Sequence, residues 1–290
     1  MKLQFSGHES FICKHFWLKK GYDFISNQGN FNNESAVVEL GVGKNMVTSI
    51  SYWLKAFGIT DQSNTPADFG HYLFNDETGK DKYIETIGTV WLLHYNLIKN
   101  AKASLYSLFF NEFRRERHEF TKEHLTKFIM KKIEKGATAN TINVDIAVFL
   151  RNYLAGNSRN SKVDIEDEFS NLLSDLELMQ SFQVEDSDGK NVEWYRVQSN
   201  VRPDLPSSIV LYAILDNSSY KKSIPFRDLL TGYNSPGALF ALNEDGLYQK
   251  IEEITQNNRN IIYKETAGVR ELQIKGSINK DSILDDYYED

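Results

Sequence analysis

Two apolar segments flanking a glycine turn, Ala36–Leu40 and Lys44–Phe57, constrain the fold most. Val47, Ile50, Trp53, Leu54 and Phe57 recur at spacings of three and four, which is one face of a helix. Gly58 follows as the residue that ends it, and Asn33-Glu34-Ser35 precedes the shorter segment as a helix start. Gly41-Val42-Gly43 lies between the two. Val37, Gly41, Val47 and Ile50 fall four, six and three apart, the separations of packed positions in a helix-turn-helix. The polar face of the second helix then offers Lys44, Asn45, Thr48, Ser49, Ser51 and Tyr52 to the edges of bases in a major groove. Units of this shape also serve protein contacts, so spacing alone leaves both uses open.

Around this motif the chain reads as mainly α with small β-hairpins, an α+β protein. Phe11, Phe16, Trp17 and Leu18 predict a short aromatic-faced helix ending at Gly21, and His71–Asp81 a short β-wing. Residues 1–81 thus form a winged helix-turn-helix domain. Residues 82–157 form a helical bundle with segments at Ile84–Ile98, Thr121–Lys135 and Thr141–Leu154. The boundary falls after Gly156-Asn157-Ser158. Residues 158–280 form a winged-helix-like domain. It contains a hairpin turning at Asp188-Gly189, helices at Ile209–Leu215 and Phe226–Leu230, a capped helix after Asn243, and a closing hairpin over Ile261–Ile274. Residues 281–290 hold five acids and two tyrosines and read as a flexible tail.

The net charge of −7 excludes a strongly basic nucleic-acid binder over the whole chain. It leaves room for a local basic face, because screening confines charge effects to about 8–10 Å. From Lys99 to Lys135 there are ten Lys/Arg against five Asp/Glu, so +5 locally. Arg114, Arg115 and Arg117, with His118 and Lys122, are suited to a DNA backbone. Glu116 and Glu119 between them fit equally a solvated helix face with local ion pairs. Cys13 is the only cysteine, which excludes an intramolecular disulfide and a cysteine-based zinc site. No apolar run approaches the roughly 20 residues that span a bilayer, so a cytoplasmic protein without membrane contact is expected.

Ser6-Gly7-His8-Glu9-Ser10 is the most unusual short string. His8 beside Glu9 is a candidate general acid/base or metal pair. Phosphodiester cleavage needs a group that deprotonates water and something that holds the pentavalent oxygens, and a carboxylate-bound Mg²⁺ or Mn²⁺ supplies both. Two residues are too few, so Asp23, Asp81, Glu85 or His94 have to converge on them. The plainer role for His8 is to order the N-terminal segment, and for His94, within Trp91-Leu92-Leu93-His94-Tyr95, to be a satisfied buried histidine. The metalloprotease, nucleophile-elbow, dinucleotide, Cys-x-x-Cys and carboxylate–lysine nuclease patterns are all absent. Gly41-Val42-Gly43-Lys44 is too compact for a phosphate loop.

Several strings resemble a bacterial family known as a domain of unknown function. They are Phe5-Ser6-Gly7-His8-Glu9-Ser10-Phe11, Trp17–Tyr22, Ala36–Val47, Tyr52–Gly58, Gly88–Tyr95, Ser235-Pro236-Gly237 and Glu265–Arg270. The resemblance spans roughly residues 5–275. Members of that family are similar to the SspB component of DNA phosphorothioation systems, described as a DNA nickase. The resemblance implies a divalent-metal-dependent single-strand nick that admits sulfur in place of a phosphate oxygen. It also implies double-stranded DNA, a sulfurtransferase resembling a phosphoadenosine-phosphosulfate (PAPS) reductase and an ATPase of the same system as partners, with a homo-oligomer left open. It assigns no catalytic residue. A non-catalytic DNA-binding adaptor that recruits the sulfurtransferase is the alternative.

Overall fold

The computed structural model describes residues 3–133, 137–154 and 171–289. They fall into two compact units, Met1–Val197 and Gln198–Asp290. The boundary expected at 157/158 lies outside the described residues.

The first unit begins with α1 (Trp17–Ser26), α2 (Ala36–Leu40), α3 (Lys44–Phe57), α4 (Asp68–Phe74) and α5 (Ile87–Asn100). The glycine punctuation works as the spacing predicts. Gly41 (φ 61°) closes α2 and Gly58 (φ 74°) closes α3, each in the left-handed region that glycine adopts without strain. Val47 is 4% exposed, and Ile50, Trp53, Leu54 and Phe57 are fully buried, because α3 packs against α1 on one side and α5 on another.

Two local expectations are corrected. α1 does not stop at Gly21. That glycine is where α1 crosses α3, and a Cβ there would sit 2.7 Å from both Ile50 Cγ2 and Leu54 Cδ1. The segment taken for a wing is helical over Asp68–Phe74. Leu73 and Phe74 are fully buried, and the Tyr22 hydroxyl hydrogen-bonds His71 Nδ1 at 2.7 Å, so the segment packs as a helix beside α1. Asn75 then makes the turn, its side-chain oxygen accepting the N–H groups of Glu77 and Thr78.

Next come α6 (Ser104–Leu108), a π-helical turn (Phe109–Phe113), α7 (Arg114–Glu116), β1 (Glu119–Phe120), α8 (Lys122–Lys132) and α9 (Ala139–Tyr153). β2 (Gln180–Glu185) and β3 (Asn191–Arg196) form the expected hairpin, and β1 adds to it in the antiparallel order β1-β3-β2. Phe120 faces Tyr195 across that ladder. The core here is aromatic: Phe109, Phe110, Phe113, Phe120, Phe149, Tyr153 and Tyr195 are each at most 1% exposed.

Asp81 anchors the start of α5. It accepts from Glu85 N (2.8 Å), Thr86 N (3.0 Å), Thr86 Oγ1 (3.0 Å) and Thr89 Oγ1 (2.6 Å), and it is 6% exposed. Asp81→Ala leaves those donors without their acceptor. It is expected to cost about 3 kcal/mol in chemical denaturation, with Asp81→Asn costing less. A loss for Asp81→Ala no larger than for the exposed Glu85→Ala would contradict the anchoring role.

The second unit holds α10 (Ser207–Asp216), β4 (Ser223–Pro225), α11 (Phe226–Thr231), α12 (Pro236–Leu239), α13 (Glu244–Asn257), β5 (Ile261–Thr266), β6 (Val269–Ile274) and α14 (Lys280–Glu289). Its sheet runs β4-β6-β5, all antiparallel. Asn243 caps α13 by accepting Gly246 N at 2.7 Å, as the sequence predicts. The acidic end is not a flexible tail. It forms α14, whose Ile283 and Leu284 are buried as it packs on α10, while Lys280 ion-pairs with Asp216. Two adjacent apolar residues suffice to give an otherwise acidic helix one packing face.

Candidate functional site

The chain before α1 is extended and is fastened to the rest of the first unit by buried polar groups. Gln4 N donates to Ser104 Oγ at 2.8 Å. Ser6 N donates to both carboxylate oxygens of Asp145 at 3.0 Å. Cys13 N donates to Asn152 Oδ1 at 3.1 Å, and Asn152 Nδ2 donates to the Tyr106 hydroxyl at 2.6 Å. Asp145 and Asn152 are seven residues apart on α9, two helical turns, so they share one face. Arg151 of the same helix donates from Nη2 to Ser10 O at 2.6 Å.

His8 sits at the centre of this seam, 3% exposed. Its Nδ1 accepts from Ser10 N at 3.2 Å, so the ring proton is assigned to Nε2, which donates to Asp145 Oδ1 at 3.1 Å. The ring stacks on Trp53 (centroids 6.2 Å apart, planes at 18°) and meets Tyr52 edge-on at 5.7 Å. Both nitrogens and both faces are engaged inside the protein. Glu9, by contrast, is exposed. Burial, and then the negative charge of Asp145, push the Tyr52 phenol far above its ordinary range, so it stays neutral. Burial likewise raises the Cys13 thiol, which makes it inert.

The backbone of this loop is unusual. Ser6 (φ 66°), Gly7 (101°), Glu9 (48°) and Ser10 (65°) all have positive φ. Three of the four are not glycine, and such residues cluster at functional sites because the surroundings must hold them there. A Cβ on Gly7 would lie 2.7 Å from Tyr52 Cδ2, so the loop rests directly on that ring.

The residues expected at a DNA interface divide by burial. Lys44, Asn45 and Thr48 are exposed at the start of α3. Ser49, Ser51 and Tyr52 are buried, and their expected exposure is corrected. Ser51 Oγ donates to Asn64 Oδ1 at 2.7 Å, and Tyr52 lies under Gly7. α3 is covered by more than one helix, so only a narrow strip of its first turns reaches solvent. The arginine cluster divides in the same way. Arg114 is buried with its guanidinium 5.7 Å from the centre of the Phe110 ring, whereas Arg115 and Arg117 are exposed.

The acidic and imidazole groups expected to join His8 and Glu9 have other partners. Asp23 pairs with Lys19 at 2.5 Å, Asp81 is saturated at α5, and His94 Nδ1 shares a 2.9 Å hydrogen bond with the Tyr153 hydroxyl in the core. Glu85 stands exposed at the mouth of α5, with its N–H held by Asp81. Among the described residues no group of three or more His, Cys, Asp or Glu side chains is placed to hold a metal ion. None of their helices is long and apolar enough to cross a membrane. A cavity of about 610 Å³ in the second unit is lined by Ser207, Ser208, Leu211, Lys250, Glu253 and Tyr287 among others, and none of the candidate residues reaches it.

The sequence reading missed Asp145, Arg151, Asn152 and Trp53. A signal was present for two of them. Asp145 and Asn152 interrupt the buried stripe formed by Ile142, Ile146, Phe149 and Tyr153, and a polar side chain in such a stripe needs a partner.

No protein of curated function matches the chain. Two solved structures are similar to it across 99% of its length and 88% of theirs. One is a magnesium ion-bound SspB crystal structure, with 27% identity and a TM-score of 0.84. The other is an SspB crystal structure, with 27% identity and a TM-score of 0.82. The model of a family described as "Protein of unknown function (DUF4007)" matches residues 5–288, so the chain belongs to that family.

Proposed function

We propose that this protein is the SspB-like component of a DNA phosphorothioation system and that it nicks one strand of duplex DNA. The similarity to SspB over 99% of the chain carries this reading. In it, the exposed start of α3 (Lys44, Asn45, Thr48) approaches the duplex, and Arg115 and Arg117 follow its backbone. Glu9 is the exposed carboxylate of the loop and acts as general base toward the attacking water. His8, enclosed between Asp145, Trp53 and Tyr52, is a positioning residue that holds Glu9 in place. One of the SspB structures is magnesium ion-bound. The described residues here do not make a preformed metal cage, so no step of this reading passes through a cation.

The test is conversion of supercoiled plasmid to open circle by the purified protein in Mg²⁺, Mn²⁺ or EDTA. Nicking is expected with a divalent cation present. Glu9→Gln is expected to lose about 100-fold or more of the rate while keeping the wild-type denaturation curve. Full activity in Glu9→Gln discards the site and keeps the enzyme.

A second reading makes the protein a non-catalytic DNA-binding adaptor for a PAPS-reductase-like sulfurtransferase and an ATPase of the same system. The absence of a metal-ligating group among the described residues favours it. Duplex binding without nicking in any cation is the result that selects it.

A further inference from the structure

The loop that carries Glu9 has donors to spare. Among the described residues, the backbone N–H groups of Gly7, His8 and Glu9 donate to no protein acceptor, although the N–H groups of Ser6, Ser10 and Phe11 on either side are all satisfied. Arg151 adds a cation at the same loop. Its Nε donates to Ala147 O at 3.4 Å and its Nη2 to Ser10 O at 2.6 Å, while its Nη1 has no acceptor. Consecutive amides whose residues alternate in the sign of φ form a concavity that suits an oxyanion, and Gly7, His8 and Glu9 follow that pattern, with Gly7 and Glu9 positive and His8 not. We infer that the loop from Ser6 to Ser10, together with Arg151, is a cradle for one phosphodiester of a DNA strand, with amide donors on one side and a guanidinium on the other. The inference rests on the reading of the chain as a protein that acts on DNA, and it names the group that the site holds.

The rest of the seam explains why the cradle keeps its shape without a ligand. Asp145 grips Ser6 N and His8 from the buried side, and the Tyr52 ring lies against Gly7. The same carboxylate is thereby occupied, with its charge turned toward these donors. The opposing charge is Glu9, exposed in the loop itself. It weakens the hold on any free anion and stands beside the phosphate that the amides receive. That arrangement places a base next to a phosphorus centre and fixes the expected sign of its removal. Glu9→Gln binds a phosphodiester more tightly while losing the nick.

The test uses the full-length protein, ¹⁵N-labelled, and thymidylyl-thymidine, a dinucleotide with a single phosphodiester. Its uncharged methylphosphonate analogue is the control. The amide resonances of Gly7, His8 and Glu9 are expected to shift on titration with the diester and to stay still with the methylphosphonate. Arg151→Gln is expected to weaken binding about tenfold, and Arg151→Lys less, because lysine keeps the charge and loses the fork. Glu9→Gln is expected to tighten it about threefold by removing a like charge. Unmoved loop amides, or equal shifts with both dinucleotides, overturn the cradle. The failures are separable. A protein that takes the diester in this loop and leaves plasmid intact keeps the cradle and loses the nicking reading. A protein that nicks plasmid with silent loop amides loses the cradle alone.

Discussion

Asp145→Ala is expected to lower the unfolding free energy of the first unit by about 3–5 kcal/mol. The carboxylate is buried, and it is the only acceptor given to Ser6 N and to His8 Nε2. Without it, two donors stay inside with no water to replace it, and the loop loses its reason to hold four positive φ angles. All four tryptophans, Trp17, Trp53, Trp91 and Trp194, belong to the first unit, so fluorescence-monitored urea unfolding reports that unit alone. His8→Ala is expected to cost less, because Asp145 still receives Ser6 N. The double variant should lose markedly less than the sum of the two, since the pair interacts directly. Simple additivity would mean that the 3.1 Å contact contributes nothing in solution and that the loop is held by Tyr52 and Trp53 alone. Asp145→Ala is also expected to abolish nicking, but that loss follows from the loop's collapse and says nothing about chemistry at Asp145.

What the sequence made legible follows from the range of the forces involved. Helices with a strong local period and a local stop were legible. α3 has its apolar face and Gly58, and α13 has Asn243 and two acids in its first turn. The hairpins around Asp188-Gly189 and Ala267-Gly268 were legible for the same reason, since turn chemistry is carried by adjacent residues. Where the reading failed, the deciding contact lay far along the chain. Gly21 looks like a helix stop until α3, about thirty residues on, requires a glycine to pass. The segment at His71 looks like a wing until Tyr22 takes its imidazole. The acidic end looks unfolded until Asp216 meets Lys280.

The candidate site divides the same way. Its address, Ser6 to Ser10, stood out as a string. Its construction did not, because the groups that shape it lie about 45 to 145 residues away, on α3 and α9. Glu9 and His8 are neighbours in sequence and opposites in environment, one in solvent and one sealed. A sequence reading that treats the two as one acid/base pair cannot separate them. The hydrogen-bond inventory does. A histidine with both nitrogens engaged has little left to give a substrate, and an exposed carboxylate held at φ 48° has nothing else to do in the fold.

Phe109→Ala is the other substitution expected to act strongly, at about 3–5 kcal/mol. Phe109 is fully buried and opens the π-helical turn. Its ring lies 4.7 Å from Phe149, 5.2 Å from Phe110, 5.3 Å from Phe120 and 5.6 Å from Phe113. These neighbours come from α9, from β1 and from its own turn, so the cavity left by alanine borders three elements that cannot all close in on it together. A π turn widens the helix by one residue, and that extra residue lets Phe109, Phe110 and Phe113 all face inward where a regular α-helix would turn one of them toward solvent. Phe109→Leu keeps most of the volume and is expected to cost under half as much. Phe16→Ala is the fitting control, because Phe16 is 63% exposed and its loss is expected within about 0.5 kcal/mol of zero. Since α9 also carries Asp145, Arg151 and Asn152, a loosened Phe109–Phe149 contact should reach the seam. The amides of the Ser6–Ser10 loop should then exchange faster in Phe109→Ala and remain as in wild type in Phe16→Ala. Faster exchange confined to the π turn would instead mean that α9 holds its place through Asn152 and Tyr106, and that the aromatic core and the loop are independent structures on one helix.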